Sequence, residues 1–541
     1  MVNSHRYFFR TIIMSNFSPT AFFTKQTAWL IYFSLIGLYA FSLWALVQHQ
    51  QAESFFSWQE MKHILAYSSY QALLSALIST GLGILLAKAF FYLDFKGKAF
   101  LYNAIQFVWA LPSLVIIFAV IGIWGNSGWL AQLWQTFGFS WQFNVYGLQG
   151  ILIAHCLLNI PLVTKYSLSA LMQIPSSQYQ LATQLNLTGW AYFQIVELPA
   201  LKRLLPYVFM TVFLICFTSF PIVLMLGGSP KYSTLEVAIY QAVSFEFDFA
   251  KAVKLIAVQL VVGLGLQVIL FLVSQRAFQT KLETLSIDIW KPKVQGFQKV
   301  CLQSLLWLQS LLIILPLVSV IWAGITVSHF VERLLNPLLW EAVFFSTMLS
   351  LIASLTALSI SYFIALEARK LLFRQQKLRY ALLSSAVTYP LILPVFLLAV
   401  GLFLLLKNVE LSTVQLLWLV GLCNGMTLLP FIYPLLFAPL WQTLTTQDKL
   451  AKSLGLSGFQ RWWVAEKHYL IRPFAQAFAL AMSASLGSFA VIAFFGSPDF
   501  SSLPYLLYQQ LGSYRTEDAA VTAFILMLFT FLPFLLTRTK A

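Results

Sequence analysis

Twelve apolar runs of about twenty residues divide this 541-residue chain, and each is long enough to cross roughly 30 Å of hydrocarbon. They lie near 28–47, 64–91, 103–124, 146–166, 203–226, 252–274, 301–323, 342–366, 381–406, 414–440, 475–496 and 518–536. Pro112, Pro161, Pro221, Pro390, Pro394 and Pro430 fall inside them, so kinks are expected. Only 9% of residues are charged, whereas a soluble chain of this size carries about a quarter. Hydrocarbon leaves backbone groups without water, so runs of this kind span as helices. The fold class that follows is an all-α integral membrane protein with about 12 transmembrane helices. No small-residue cleavage site follows the first run, which reads as a retained helix.

Lys and Arg set the orientation. With a cytoplasmic N-terminus, most of the 33 basic residues fall on the cytoplasmic side. They cluster around Arg6 and Arg10, Lys96 and Lys98, 276–299, 369–379, 449–472, and Arg538 and Lys540. The net charge of +15 is therefore topological, and the short loops leave no room for a nucleic-acid-binding domain. Cys156, Cys216, Cys301 and Cys423 all sit in apolar runs, so no disulfide framework is implied. His155 alone among the histidines lies deep in a span, which excludes a bis-histidine haem, and no other cofactor or metal is implied.

Two polar stretches repeat. YQLATQLNLTGWAYFQIVELP (179–199) aligns without gaps on DKLAKSLGLSGFQRWWVAEKH (448–468) at an offset of 269. Leu181/Leu450, Ala182/Ala451, Leu185/Leu454, Leu187/Leu456, Gly189/Gly458 and Glu197/Glu466 are identical. GGSPKYSTLEVAIYQ (227–241) matches FGSPDFSSLPYLLYQ (495–509) at seven of fifteen positions, at an offset of 268. The chain is a tandem duplication. Six spans separate equivalent points, so the repeats are parallel and related by an axis along the membrane normal. Such a pair encloses a central route and offers two equivalent cytoplasmic faces. The expected organisation is an N-terminal segment with the first helix (1–60), a first half (61–274) and a cytoplasmic linker (275–300). The first helix and external loop of the second half (301–340) and that half's core (341–536) follow.

Leu181 and Leu185, like Leu450 and Leu454, stand four apart, which predicts a short helix with a small apolar ridge in each copy. Gly189 and Gly458 are expected to break it. A single such helix would read as a lipid-surface element. Two copies at matched positions point to a docking knob.

These stretches resemble the EAA loop of ABC importer permeases, in which Glu-Ala-Ala, three residues and Gly precede a hydrophobic tail ending in Leu-Pro. The resemblance implies a tandem duplication of a six-helix type I ABC importer permease unit. It also implies that each loop is a coupling helix for an ATPase subunit. The first would comprise Gln180, Leu181, Ala182, Leu185, Asn186 and Gly189, and the second Lys449, Leu450, Ala451, Leu454, Gly455 and Gly458. Gln180 and Lys449 stand where the family has Glu, and Asn186 stands where it has Gly. Asn tolerates the left-handed conformation that Gly would supply. Leu198-Pro199 closes the first copy in the family's way, and Lys467-His468 departs from it.

YGLQGILIAH (146–155), STLEVAIYQAVSFEFD (233–248) and LPYLLYQQLGSYRTEDAAVTA (503–523) resemble thiamine and thiamine-pyrophosphate permeases. Fused permeases of similar length also occur among ferric-ion importers. The thiamine resemblance implies a periplasmic thiamine-binding protein and two copies of a cytoplasmic ABC ATPase as partners.

The chain itself has no GxxxxGK[ST] motif, so a phosphate-cradling loop is missing and energy must come from a partner or an ion gradient. A twelve-helix ion-coupled carrier is the alternative in another class. Such carriers place charged residues inside spans, and the central portions of these spans are almost free of them. At the 269 offset His155 falls on Asn424, and Asn159 lies one turn from His155. These three are expected either to line the route or to bond the halves together. Tyr240 and Gln241 match Tyr508 and Gln509 in segments expected to form an external rim, beside Glu246, Asp248, Tyr514, Glu517 and Asp518.

Overall fold

The computed structural model describes residues 19–48, 57–141, 143–228, 231–277, 290–391, 395–406, 408–497 and 500–536. Arg6, Arg10, Pro394, Arg538, Lys540 and much of the expected linker lie outside the described residues. In chain order the first repeat gives α1 (Pro19–Gln48), α2 (Trp58–Tyr92), α3 (Lys98–Trp109), α4 (Ser113–Trp124), α5 (Trp129–Thr136) and α6 (Leu148–Met172). It continues with α7 (Ser176–Gln184), α8 (Gly189–Tyr192), α9 (Leu198–Phe217), α10 (Pro221–Leu226), α11 (Leu235–Ser244) and α12 (Phe249–Ala277). The second gives α13 (Gly296–Thr326), α14 (Phe330–Leu334), α15 (Pro337–Phe373), α16 (Lys377–Thr388), α17 (Val395–Leu406) and α18 (Thr413–Ser453). It ends with α19 (Gly458–Arg461), α20 (Lys467–Leu486), α21 (Ile492–Phe495), α22 (Leu503–Gly512) and α23 (Thr516–Leu536). Short π-helical segments, Phe193–Glu197 and Trp462–Glu466, join α8 to α9 and α19 to α20 at matched positions.

Among the described residues, ten helices are long and apolar enough to cross a membrane, and Phe396–Leu406 is a shorter apolar helix. Four expected spans are broken rather than kinked. The run near 103–124 divides into α3 and α4, that near 203–226 into α9 and α10, that near 381–406 into α16 and α17, and that near 475–496 into α20 and α21. Pro112 stands at the N-cap of α4 and bars its predecessor from helical geometry. Pro161 and Pro430, by contrast, are carried inside α6 and α18.

The chain folds into two compact units, neither continuous in sequence. One comprises Gln51–Leu339 and Pro504–Met527; the other comprises Met1–Gln50, Trp340–Leu503 and Leu528–Ala541. In the first unit α2 packs along α6 and α9, and α13 packs on α2, α3 and α4. A Cβ at Gly83 would lie 2.5 Å from Val163 Cβ, so only glycine lets α2 and α6 approach this closely. The face of α2 formed by Ser68, Gln71, Ser75 and Ser79 is fully buried. In the second unit α17 packs on α1 and α20 on α18, around a core that includes Tyr32, Leu35, Ile364, Leu429 and Leu436. The first helix of each repeat thus packs among helices of the other repeat.

The duplication extends to single hydrogen bonds. Ser68 Oγ accepts the Leu235 N–H at 3.0 Å, and Ser346 Oγ accepts the Leu503 N–H at 2.7 Å. Leu235 and Leu503 open α11 and α22, where a first-turn N–H has no partner within its own helix.

Candidate functional site

The two expected docking segments end alike. In the first, Asn186 takes φ +51°, its N–H reaches Thr183 O at 3.1 Å, and the Leu187 N–H reaches Ala182 O at 3.0 Å. In the second, Gly455 takes φ +67°, its N–H reaches Lys452 O at 3.1 Å, and the Leu456 N–H reaches Ala451 O at 2.9 Å. This is the Schellman pattern, with a left-handed residue just past the helix end. Asn186 and Gly455 are therefore the breakers. Gly189 and Gly458, expected in that role, instead open α8 and α19.

The segments begin differently. The first is the separate short helix α7, entered through Pro175 at its N-cap. The second is not separate: it forms the last turns of the 41-residue helix α18. The cause lies in one position, because Leu444 stands where the first repeat has Pro175 and does not restrict its predecessor.

Both segments turn the same residues outward. Leu181 and Leu185 are 56% and 62% exposed, and Leu450 and Leu454 are 56% and 63% exposed. Gln180 and Lys449 are exposed as well, while Ala182 and Ala451 are buried. Covering each leucine is worth about 2 kcal/mol, so the two ridges form a matched pair of unfilled apolar contacts.

Beneath them the repeats diverge. Under the first, Lys88 Nζ lies 2.7 Å from Glu197 Oε2, Tyr92 Oη donates to Glu197 Oε1, and Tyr92 Oη lies 3.3 Å from Tyr192 Oη. Tyr179, fully buried, donates to Leu171 O at 2.9 Å. Under the second, Arg369 Nη2 lies 3.0 Å from Glu466 Oε2, and Arg461 Nε lies 3.0 Å from Glu466 Oε1. Arg461 Nη1 also contacts Asp448 Oδ1 at 2.7 Å, and Lys452 Nζ contacts Asp448 Oδ2 at 2.7 Å. The identity of Glu197 and Glu466 is visible in sequence, but their partners on α2 and α15 are not.

His155 is buried on α6, with Nδ1 3.0 Å from Ser75 Oγ, and its Nε2 has no partner among the described residues. Asn159 Nδ2 donates to Cys216 Sγ at 3.3 Å, within the same unit. Asn424, buried on α18, accepts from Ser488 Oγ at 3.0 Å within the other unit.

Of the expected rim residues, Tyr240 and Tyr508 are hydrogen-bonded to each other. Gln241 is half-buried and Gln509 exposed. Nearby acids are paired: Glu246 Oε2 with Lys251 Nζ at 3.0 Å, and Glu517 and Asp518 with Arg333. Glu236, which sequence reading missed, is 2% exposed on α11 and accepts from Gln259 Nε2 at 2.6 Å. Burial pushes its carboxyl up to about 7, against the Gln259 hydrogen bond, and α11 lies outside the membrane-spanning helices. Its signal was a lone carboxylate in the apolar window LEVAIYQ.

The family model described as "Binding-protein-dependent transport system inner membrane component" matches residues 79–284, a stretch that contains α7. The thiamine transport system permease protein ThiP of Haemophilus influenzae is 40% identical, over 90% of this chain and 90% of its own length. ThiP of Escherichia coli is 38% identical, over 88% of this chain and 89% of its own. ThiP of Brucella abortus is 34% identical, over 86% of this chain and 84% of its own.

Proposed function

Since the chain belongs to the family of thiamine transport system permease proteins, we propose that it carries thiamine or thiamine phosphates inward as the membrane permease of an ABC importer. Two copies of a cytoplasmic ATPase dock on the segments at 176–185 and 448–454, and a periplasmic thiamine-binding protein delivers substrate to the opposite face. The single observation that carries the docking reading is the matched pair of exposed leucine ridges. Both termini and both docking segments face the cytoplasm in this reading, in keeping with the distribution of Lys and Arg. The permease halves are 61–274 and 341–536.

His155, Asn159 and Asn424 line the route. The free Nε2 of His155, buried in a span, supports this assignment, because hydrocarbon would offer it nothing. Tyr240, Gln241, Tyr508 and Gln509 form the external rim, where aromatic faces suit a cationic vitamin.

The test is uptake by the permease reconstituted with its ATPase and binding protein. Thiamine uptake that requires ATP and survives a protonophore supports the proposal. Uptake driven by a gradient without ATP would make the chain a secondary carrier, and uptake of ferric ion in place of thiamine would reassign the substrate. In the same assay His155→Leu should reduce uptake with thermal stability unchanged; lost stability with normal uptake would make His155 a structural group.

A further inference from the structure

We propose that Glu466 is a positioning residue that ties the second docking segment to α15, so that a displacement of that segment is passed to a membrane-spanning helix. The proposal rests on the docking reading above. Three elements meet at this carboxylate. Arg369 reaches it from α15 and also donates from Nη1 to Leu440 O of α18 at 3.2 Å. Arg461, at the end of α19, bridges it to Asp448 in the docking segment itself. An unbroken path of charge-assisted hydrogen bonds therefore runs from Asp448 through Arg461 and Glu466 to Arg369.

Stability alone does not account for this path. The Glu466 and Arg369 side chains are 3% and 7% exposed. Desolvating two such ions costs several kcal/mol each, and well-packed apolar residues in their place are often neutral or stabilising. What an ion pair with a planar guanidinium supplies is a fixed geometry. The placement of Glu466 adds to this, since it closes a π-helical turn, a departure from α geometry that tends to mark functional positions.

The first repeat supplies an internal contrast. Glu197 also closes a π turn and also pairs with a cation four residues from the end of its helix, Lys88 of α2. There, however, no ion pair among the described residues continues into the docking helix: Tyr179 and Tyr192 occupy the positions of Asp448 and Arg461. That helix is held by packing of Tyr179, Ala182, Phe91 and Tyr92.

The experiment uses the full permease with its ATPase and binding protein in proteoliposomes, and reads substrate moved per ATP hydrolysed alongside co-purification of the ATPase. Glu466→Gln and Arg369→Gln should keep the ATPase bound and lower the ratio about tenfold, a typical coupling magnitude. Arg369→Lys keeps the charge but loses the planar fork that also reaches Leu440 O, so it should lower the ratio as well, by less than Arg369→Gln. An unchanged ratio in Glu466→Gln, or a fall in melting temperature with the ratio intact, would overturn the proposal. Leu454→Asp separates the two readings: if it releases the ATPase while Glu466→Gln couples normally, only the positioning role fails. If Leu454→Asp releases nothing, the docking reading fails with it.

Discussion

Beneath the first docking segment lie tyrosine hydroxyls around one lysine–glutamate pair; beneath the second lie two arginines and two carboxylates. Above them, the outward leucines match in identity and in exposure. Duplicated surfaces proposed to fit the same partner are expected to stay alike, whereas their interiors are free to change provided that they change together. Tyr179 and Tyr192 correspond to Asp448 and Arg461, and exchanging one member alone would bury an unpaired charge at a cost of several kcal/mol. The comparison therefore predicts equal outer roles and unequal inner ones.

The largest effect tests the outer equality. Leu454 is 63% exposed, so Leu454→Asp should leave the permease folded. Once covered by a partner, the new carboxylate costs several kcal/mol, enough to weaken docking at least about tenfold. Co-purification of the ATPase reads this directly. Leu185→Asp should be as severe, and a mild Leu185→Asp beside a severe Leu454→Asp would extend the asymmetry to the surface.

Next is the way each segment is entered. Leu444 is buried inside α18, where Leu444→Pro would remove a helical hydrogen bond and clash with the preceding turn, costing about 3 kcal/mol. It would also disturb Leu440 O, which Arg369 uses. Thermal unfolding of the purified protein should show a drop of several degrees. The reciprocal Pro175→Leu should be tolerated, since α7 already begins beside the end of α6. A Leu444→Pro protein of normal stability would mean that the continuous helix is incidental.

Much of this was legible before any coordinates. The apolar runs, the 269-residue repeat and the left-handed turn at Asn186 all follow from local pattern. The second docking segment, expected as a short helix of its own from Leu450 and Leu454, is instead continuous with α18, which carries Pro430, Pro434 and Pro439 without a break. The buried ion pairs were not legible in this way. At the 269 offset Lys88 falls on Ala357, while Ser68 and its counterpart Ser346 are 278 residues apart. Unequal segment lengths between α2 and α7 and between α15 and α18 shift the register, so no single offset aligns both members of each pair. The packing of α1 with helices of the second repeat leaves no local trace at all.

A third prediction uses a position where the repeats differ in a short helix that is not one of the candidate spans. Glu236 of α11 corresponds to Pro504 of α22, so only one repeat has a carboxyl there. Burial raises it to about 7, so the folded state holds its proton more tightly than the unfolded chain does. Its contribution to stability is fully present below the ordinary glutamate range and is lost as pH rises through about 7. The loss approaches about 3 kcal/mol at high pH. Melting temperature should therefore fall between about pH 4.5 and about pH 7 and level off above that, and Glu236→Gln should remove that dependence. A wild-type profile flat across this window would place the ionised carboxylate in a better-solvated site.

The smallest effect concerns the two caps. Asn186 and Gly455 share the left-handed conformation, but only glycine adopts it without a Cβ penalty. Gly455→Asn should therefore cost stability, while Asn186→Gly should gain backbone ease and lose some of it to a more flexible unfolded chain. Each change should stay below about 1 kcal/mol, or roughly 2 °C in melting temperature. A Cβ built at Gly455 meets nothing within 4 Å, so an asparagine there has room and any larger effect could not be steric. If Gly455→Asn instead released the ATPase while Asn186→Gly left it bound, the second cap would be read by the partner. The outer surfaces, alike in their leucines, would then differ in the turn that follows them.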